Sequence, residues 1–252
     1  CIPCVLLHRN RFGILNVYLW DTGKGLEIEM VYVPPGDFIM GSEDGGGDEK
    51  PRHTHAMPQG YYIGRYETTW REYRAFCLAT GRSRPEAPWW GAKDDYPVVN
   101  VSWTGAKAFC DWAGMTLPTE AQWEKAARGT DGRKYPWGSD SPTAESCVWH
   151  GHPHHGGKSA APVGRRPRGA SPYGAHDMAG NVWEWCTDWY GSGAYQRYAR
   201  GQTNPPTSGE SRVRRGGSWA HNARHCRAAT RRRNKPGSPN SNLGFRPVRD
   251  IP

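Results

Sequence analysis

Between Glu210 and Asp250 the chain carries no acidic residue, yet ten arginines, from Arg212 to Arg249, and Lys235 lie in that interval. Together they outnumber the +9 formal charge of the whole molecule, so the rest of the chain is close to neutral. Gly216, Gly217, Trp219, Ala228, Leu243, Gly244 and Phe245 read as fixed anchors, and the side chains between them change chemical type without a 3.6 or 2.0 repeat. No single helix or strand face accounts for such a pattern. The segment reads as an irregular surface that displays side chains on buried anchors.

The 252 residues admit one large domain or two small ones. Only 36% of them are apolar, whereas Gly 32, Pro 21, Trp 13 and Tyr 12 are high. Such a composition predicts a loop-rich fold whose core depends on a few large aromatics. No run approaches the roughly 18 apolar residues of a membrane span. The seven cysteines lack paired CxxC spacing, and Cys77, Cys110 and Cys186 adjoin Phe76, Phe109 and Trp185 as buried thiols would. A reducing, cytoplasmic setting is expected. The first residue is Cys1, so the chain reads as a mature or excised piece, with a lipidated N-terminal cysteine as an open alternative. The 25 arginines against 8 lysines fit a GC-rich coding genome as well as any binding role.

Residues 1–25 read as an N-terminal extension with one strand, Ile14 to Trp20, and a turn at Asp21–Gly25. From Leu26 two strands joined by a tight turn at Pro34-Pro35-Gly36 are expected, and Tyr61 to Glu67 resumes strand character. Three helices follow. One starts at Thr68-Thr69-Trp70 and stops at Gly81, a second runs from about Ser102 to Ala113, and a third is opened by Thr119 with Gln122 at the capping-box spacing. Residues 129–170 are mostly turns, and Asp177, Glu184 and Asp188 stand inside an aromatic block.

The segments MVYVPPGDFIMGS, EKPRHTH, YYIGRYETTWREYRAF, YPVVNVSW, GAKAFCDWAGMTLPTEAQWEKAARG, YPWG, MAGNVWEWCTDWY, VRRGGSW and SNLGFR resemble, in order, the formylglycine-generating enzyme (sulfatase-modifying factor) superfamily. The resemblance spans about Leu26 to Asp250. It implies one α+β domain, residues 26–252, of the C-type lectin type, with short twisted strands, two to three helices and much irregular loop. Trp103, Trp123, Trp183, Trp185 and Trp219 are expected to dominate its core.

In the enzymes of this superfamily a reactive cysteine pair after the GGS motif binds copper. Here Gly216-Gly217-Ser218-Trp219 is followed by AHNARHCRAA, whose lone Cys226 is shifted past that pair, and soft Cu(I) favours two thiolates. Copper is therefore not expected, and an oxidase would need a second thiol from elsewhere. The sulfoxide synthases of the superfamily need a further helical domain with histidine ligands, which nothing before residue 26 supplies.

The segment more closely resembles the variable region of proteins diversified by retroelements, where Asn-rich codons are randomised between fixed positions. On that pattern Trp219, Ala223, Arg224, Cys226, Arg227, Ala228, Ala229, Arg231, Arg233, Pro236 and Gly244-Phe245-Arg246 are scaffold. Ala220, His221, Asn222, His225, Thr230, Arg232, Lys235, Gly237, Ser238, Pro239, Asn240 and Ser241 are the displayed, ligand-binding positions. The resemblance implies a receptor-like protein for a protein or other macromolecular ligand, with display at a surface or on a phage particle as the alternative to a cytoplasmic location. Contact with nucleic acid phosphate is the lesser reading, because Arg214, Arg227 and Arg246 are expected to be spent on internal hydrogen bonds.

The resemblance also places a calcium loop at Gly180-Asn181-Val182-Trp183-Glu184, with side-chain oxygens of Asn181 and Glu184 and carbonyls of Gly180 or Val182 as ligands. Equally open is that Glu184 pairs with an arginine and Asn181 caps a turn. A second calcium loop near Cys147-Val148-Trp149 is expected to be lost, since a thiol is a poor ligand for a hard cation. The tract from His150 to His155 reads as an exposed loop before it reads as a zinc or nickel site, and His53 and His55 as structural.

Overall fold

The computed structural model describes residues 4–9, 15–155 and 157–251. Its largest sheet has the order β1–β2–β3–β6–β11, formed by β1 (Cys4–Arg9), β2 (Leu15–Asp21), β3 (Glu27–Val33), β6 (Tyr61–Gly64) and β11 (Val248–Asp250), all paired antiparallel. The chain end thus lies beside a strand near its beginning. The boundary expected at residue 26 falls inside this sheet, because β2 pairs with β3 from Val17↔Val31 to Asp21↔Glu27 and buries Val17.

The turn at Pro34–Gly36 does not make the expected hairpin. β4 (Phe38–Met40) leaves the sheet and pairs instead with β5 (His53–His55). His53 and His55 are buried there against Phe38, Tyr195 and Tyr198, a structural role.

A second sheet carries the arginine-rich segment. Its order is β10 (Leu243–Gly244), β7 (Trp183–Trp189), β8 (Arg212–Arg215) and β9 (Arg231–Asn234), with β10 parallel to β7 and the rest antiparallel. Being last in this order, β9 is an edge strand.

Local chemistry explains the helices. α1 (Trp70–Thr80) is opened by Thr69, whose hydroxyl accepts from the Glu72 amide while the Glu72 carboxylate accepts from the Thr69 amide, and left-handed Gly81 ends it. Ser102 caps α2 (Trp103–Trp112), and Thr119 with Gln122 forms the capping box of α3 (Glu120–Arg128). A short α4 (Ala194–Tyr198) was not legible in the sequence.

Trp123, Trp183 and Trp185 are fully buried and Trp219 is buried. Trp103 is a correction: it is half-buried at the start of α2, its indole donating to the Cys186 carbonyl at 2.8 Å and its face covered by Arg212. Trp70, not singled out beforehand, takes a place in the core. α3 is amphipathic in an unusual sense, because it buries Glu120 and Glu124 as well as Trp123. Arg215 reaches Glu120 at 3.2 Å and Glu124 at 2.5 Å, and Arg231 reaches Glu120 at 2.5 Å, so these charges are mutually compensated.

Candidate functional site

β8 ends at Arg215, and the chain then turns through Gly216 and Gly217 with φ of +100° and +81°. A Cβ on Gly217 would stand 2.7 Å from the His225 carbonyl, so this turn requires glycine. Trp219 follows, its amide bonded to the Asn181 carbonyl at 2.8 Å and its ring met edge-on by Trp89 and Trp90. A single 3₁₀ turn, Ala223–Cys226, leads to Ala228 and Ala229, whose carbonyls accept from Arg215. Beyond β9 the loop is pinned to the start of α2, with Trp103 N–H donating to Pro236 O at 2.9 Å and Asn100 N–H to Asn240 O at 3.1 Å.

Buried anchors and outward positions interleave along this path. Asn222, Arg232, Lys235, Gly237, Ser238, Pro239 and Asn240 are exposed, while Ala220, His221, His225 and Ser241 are half-buried. Thr230 is a correction: it is only 2% exposed, because it closes the turn before β9 with its hydroxyl on the Arg224 carbonyl. Among the scaffold positions, Cys226, Ala228, Ala229, Arg231, Gly244, Phe245 and Arg246 are buried, whereas Arg224 and Arg233 are exposed.

The structure gathers some displayed residues around Trp183. The His221 ring lies 5.6 Å from that indole and 5.4 Å from the His225 ring. Nδ1 of His221 accepts from Trp183 Nε1 at 3.3 Å and pairs with Ser218 Oγ at 2.8 Å. Burial, then Arg214 and Arg232, pull His221 below its ordinary pKa, and burial with Arg232 brings His225 to about 4. Both rings are neutral at pH 7. The loop Gly237–Asn240 lies instead against α2, at the other end of the segment.

Arg227 and Arg246 do find carboxylates, Glu49 at 2.7 Å and Glu184 at 2.6 Å. Arg214 does not. Its guanidinium lies 4.9 Å from the centre of the Trp183 ring, and among the described residues its Nε has no hydrogen-bond partner and it forms no ion pair. Arg212 is likewise stacked on Trp103 and Trp189, at 3.9 and 3.5 Å. These two stacked arginines were missed in the sequence, where the strand alternation that turns Arg214 away from Arg215 was the available signal.

At the expected calcium loop, both oxygens of Glu184 accept from Arg246, and Oε2 also accepts from Trp123. Asn181 Oδ1 accepts from the Ala161 amide, and its Nδ2 donates to Glu67. The two side chains are thus spent on separate partners and do not fit a shared hard cation. Burial, and then Asp177 and Glu184, push the nearby Glu67 carboxyl well above the usual range. Among the described residues no group of three or more His, Cys, Asp or Glu side chains is arranged to hold a metal. The tract from His150 to His155 is not wholly exposed: His152 is buried and its Nδ1 accepts the amides of His154 and His155.

The profile of the "Sulfatase-modifying factor enzyme 1-like domain" family matches residues 22–251. The chain belongs to this family. The formylglycine-generating enzyme of Streptomyces coelicolor is 36% identical over 87% of this chain and 88% of its own. Among solved structures, PvdO from Pseudomonas aeruginosa is similar with a TM-score of 0.79 and 26% identity, covering 92% of this chain and 98% of that one. Treponema denticola variable protein 1 is similar with a TM-score of 0.72 and 26% identity over the same shares. The α+β, C-type lectin-like architecture expected from the sequence is that of the sulfatase-modifying factor family.

This family member does bring a second thiol to Cys226. The two thiols share one buried cluster with Tyr135 and Ala179, and the Cys147 thiol, then burial, pushes the Cys226 thiol well above its ordinary range. The pair supplies the donors that a soft ion prefers. It is nevertheless sealed, with Cys147 1% and Cys226 0% exposed, and a reactive thiol needs access and a lowered pKa.

Proposed function

We propose that this chain is a receptor-like binding protein of the sulfatase-modifying factor family, diversified by a retroelement, that recognises a protein or other macromolecule through side chains between residues 220 and 241. One observation carries the reading: eleven of the twelve positions named from the variable-region pattern, all but Thr230, are exposed or half-buried on a backbone held by buried neighbours. Likeness to Treponema denticola variable protein 1 supports it. An enzyme active site would instead converge its reactive groups in one accessible place, and the Cys147–Cys226 thiol pair beside the segment is closed to substrate. The deciding test is genomic: a near-copy of the codons for residues 216–246, differing only at adenines and adjoining a reverse transcriptase gene. A single-copy segment with no such neighbour removes the reading.

The adjacency of Cys147 and Cys226 favours, as a second reading, an oxidase of formylglycine-generating type. A CxPxR peptide incubated with the protein, copper and oxygen distinguishes the two by mass spectrometry. Conversion of the peptide thiol to an aldehyde, abolished by Cys226→Ser, establishes the oxidase. Calcium at the Gly180–Glu184 loop would be structural, and a calcium-dependent rise in melting temperature reversed by EGTA is its measure.

A further inference from the structure

Charge compensation divides the arginines of this segment into two groups. Arg215, Arg227, Arg231 and Arg246 each meet a carboxylate. The other six form no ion pair among the described residues, and three of them, Arg212, Arg214 and Arg232, share one side of the sheet. Strand alternation puts Val213 and Arg215 inward and Arg212 and Arg214 on the other face. Across the β8–β9 ladder, Arg214 stands directly opposite Arg232, and Arg212 opposite Asn234.

This arrangement is unfavourable for the isolated chain. Like charges at opposed positions of a strand pair repel, and the half-buried Arg214 leaves its Nε without an acceptor. Burial and then Arg232 pull Arg214 down to about 10, so it nevertheless remains charged at pH 7. Among the described residues no carboxylate comes within ion-pair distance of these three guanidiniums. A divalent metal on the neighbouring His221 and His225 is disfavoured by the positive charge beside them, Arg214 and Arg232 at His221 and Arg232 at His225.

The geometry points to an acidic, extended peptide segment of a partner protein as the occupant of this face, its carboxylates paired with Arg212, Arg214 and Arg232. Two features favour a peptide. β9 is an edge strand, to which an extended chain can add. Arg212 and Arg214 are two residues apart on a strand, about 6.6 Å, which is the repeat of alternate side chains on an added extended peptide. Guanidiniums held over the rings of Trp103, Trp189 and Trp183 also suit planar carboxylates by their forked N–H donors. The inference rests on the display reading in taking Arg232 as ligand-facing. Arg212 and Arg214 lie outside the displayed set, so the scaffold selects an acidic class of ligand and the displayed positions select among its members.

A fluorescent peptide of alternating Glu and Thr, with Gln/Thr and Lys/Thr counterparts and an oligothymidine as competitors, tests this by anisotropy at low salt. Only the Glu peptide binds, salt weakens it, and Arg214→Gln and Arg212→Gln each reduce affinity by more than about tenfold. Arg214→Lys retains the charge and controls for folding, together with the melting curve of each variant. Equal binding of the Gln peptide, or undiminished affinity in folded Arg214→Gln, overturns the proposal. Oligothymidine binding tighter than the Glu peptide overturns it in favour of a nucleic acid. Glu-peptide binding that is lost in Arg214→Gln but unchanged when Asn222, Ser238, Pro239 and Asn240 are replaced sustains the acidic site and counts against the display reading alone.

Discussion

Arg246 closes on Glu184 through two charge-assisted hydrogen bonds, Nε to Oε2 at 2.6 Å and Nη2 to Oε1 at 2.7 Å, with both side chains sealed from solvent. The remaining guanidinium hydrogens go to the carbonyls of Gly64, Arg65 and His176, so one side chain joins the first sheet to the second. The opposing charges sit at the loop where the family resemblance places calcium, and the arginine already fills the cation's electrostatic role at Glu184.

Arg246→Ala should therefore destabilise the protein by about 3–5 kcal/mol, because it leaves a buried carboxylate unpaired. Combining Arg246→Met with Glu184→Gln should recover part of that loss. Urea denaturation decides it; a double variant less stable than Arg246→Ala would contradict the charge argument.

Anchors and displayed positions should differ sharply in tolerance. Trp219→Ala or Phe245→Ala removes a buried aromatic at about 3–5 kcal/mol, and Gly217→Val collides with the His225 carbonyl. Replacing Asn222, Lys235, Ser238 and Asn240 together should shift each site by no more than about 0.5 kcal/mol. Thr230, being buried, should behave with the anchors. Thermal melts in which the multiply replaced chain unfolds as readily as Trp219→Ala would make these positions core.

Cys77, Cys110, Cys147, Cys186 and Cys226 are all buried and reduced. In a Cys1→Ser/Cys4→Ser background, a chromogenic disulfide reagent should label none of them on the time scale of seconds, and all five in denaturant. Rapid native labelling that disappears in Cys226→Ser would show an accessible pair and revive the oxidase reading.

Acid should begin to destabilise this fold above the pH range in which ordinary carboxylates take up protons. Burial, and then neighbouring positive charge, bring His55, His155, His176 and His225 to about 4, against 6.5 in the unfolded chain. The unfolded state binds more protons between those values, so stability is lost as pH falls from 6.5 to 4. Burial raises Glu124, but Arg215 and Arg128 outweigh it and hold it at about 2, which extends the loss below the ordinary carboxylate range. Asp188 acts in the opposite sense, since burial and then Glu120 raise it to about 6 and favour the fold as pH falls through that window. Burial raises Glu67, Glu72 and Asp177 as well, but it also lowers His152 and His221, and six histidines against four carboxyls predict a lower urea midpoint at pH 4.5 than at pH 7. An unchanged or higher midpoint would show that these imidazoles are not held neutral.

Helix positions were legible because their signals are short-range. Thr69 with Glu72, Ser102, Thr119 with Gln122, and Gly81 act within one turn of backbone, so the residues themselves determine where α1, α2 and α3 begin and where α1 stops. The separation of anchors from displayed positions was also readable, since it follows side-chain type along a single segment. Thr230 escaped because its burial depends on the carbonyl of Arg224 folding back over it.

Tertiary structure alone decided the fate of the arginines. Arg214 and Arg215 are adjacent and chemically identical, yet one meets Glu120 and Glu124 while the other lies uncompensated on Trp183. The alternation of β8 sends them to opposite faces, and what waits on each face comes from α3 and β7, far away in the chain. Likewise Cys147 joins Cys226 in one buried cluster only because the His150 and Gly157 amides bond the carbonyls of His221 and Trp219. Charge count and thiol count are sequence properties, but compensation depends on distances between segments, which only the packed chain determines.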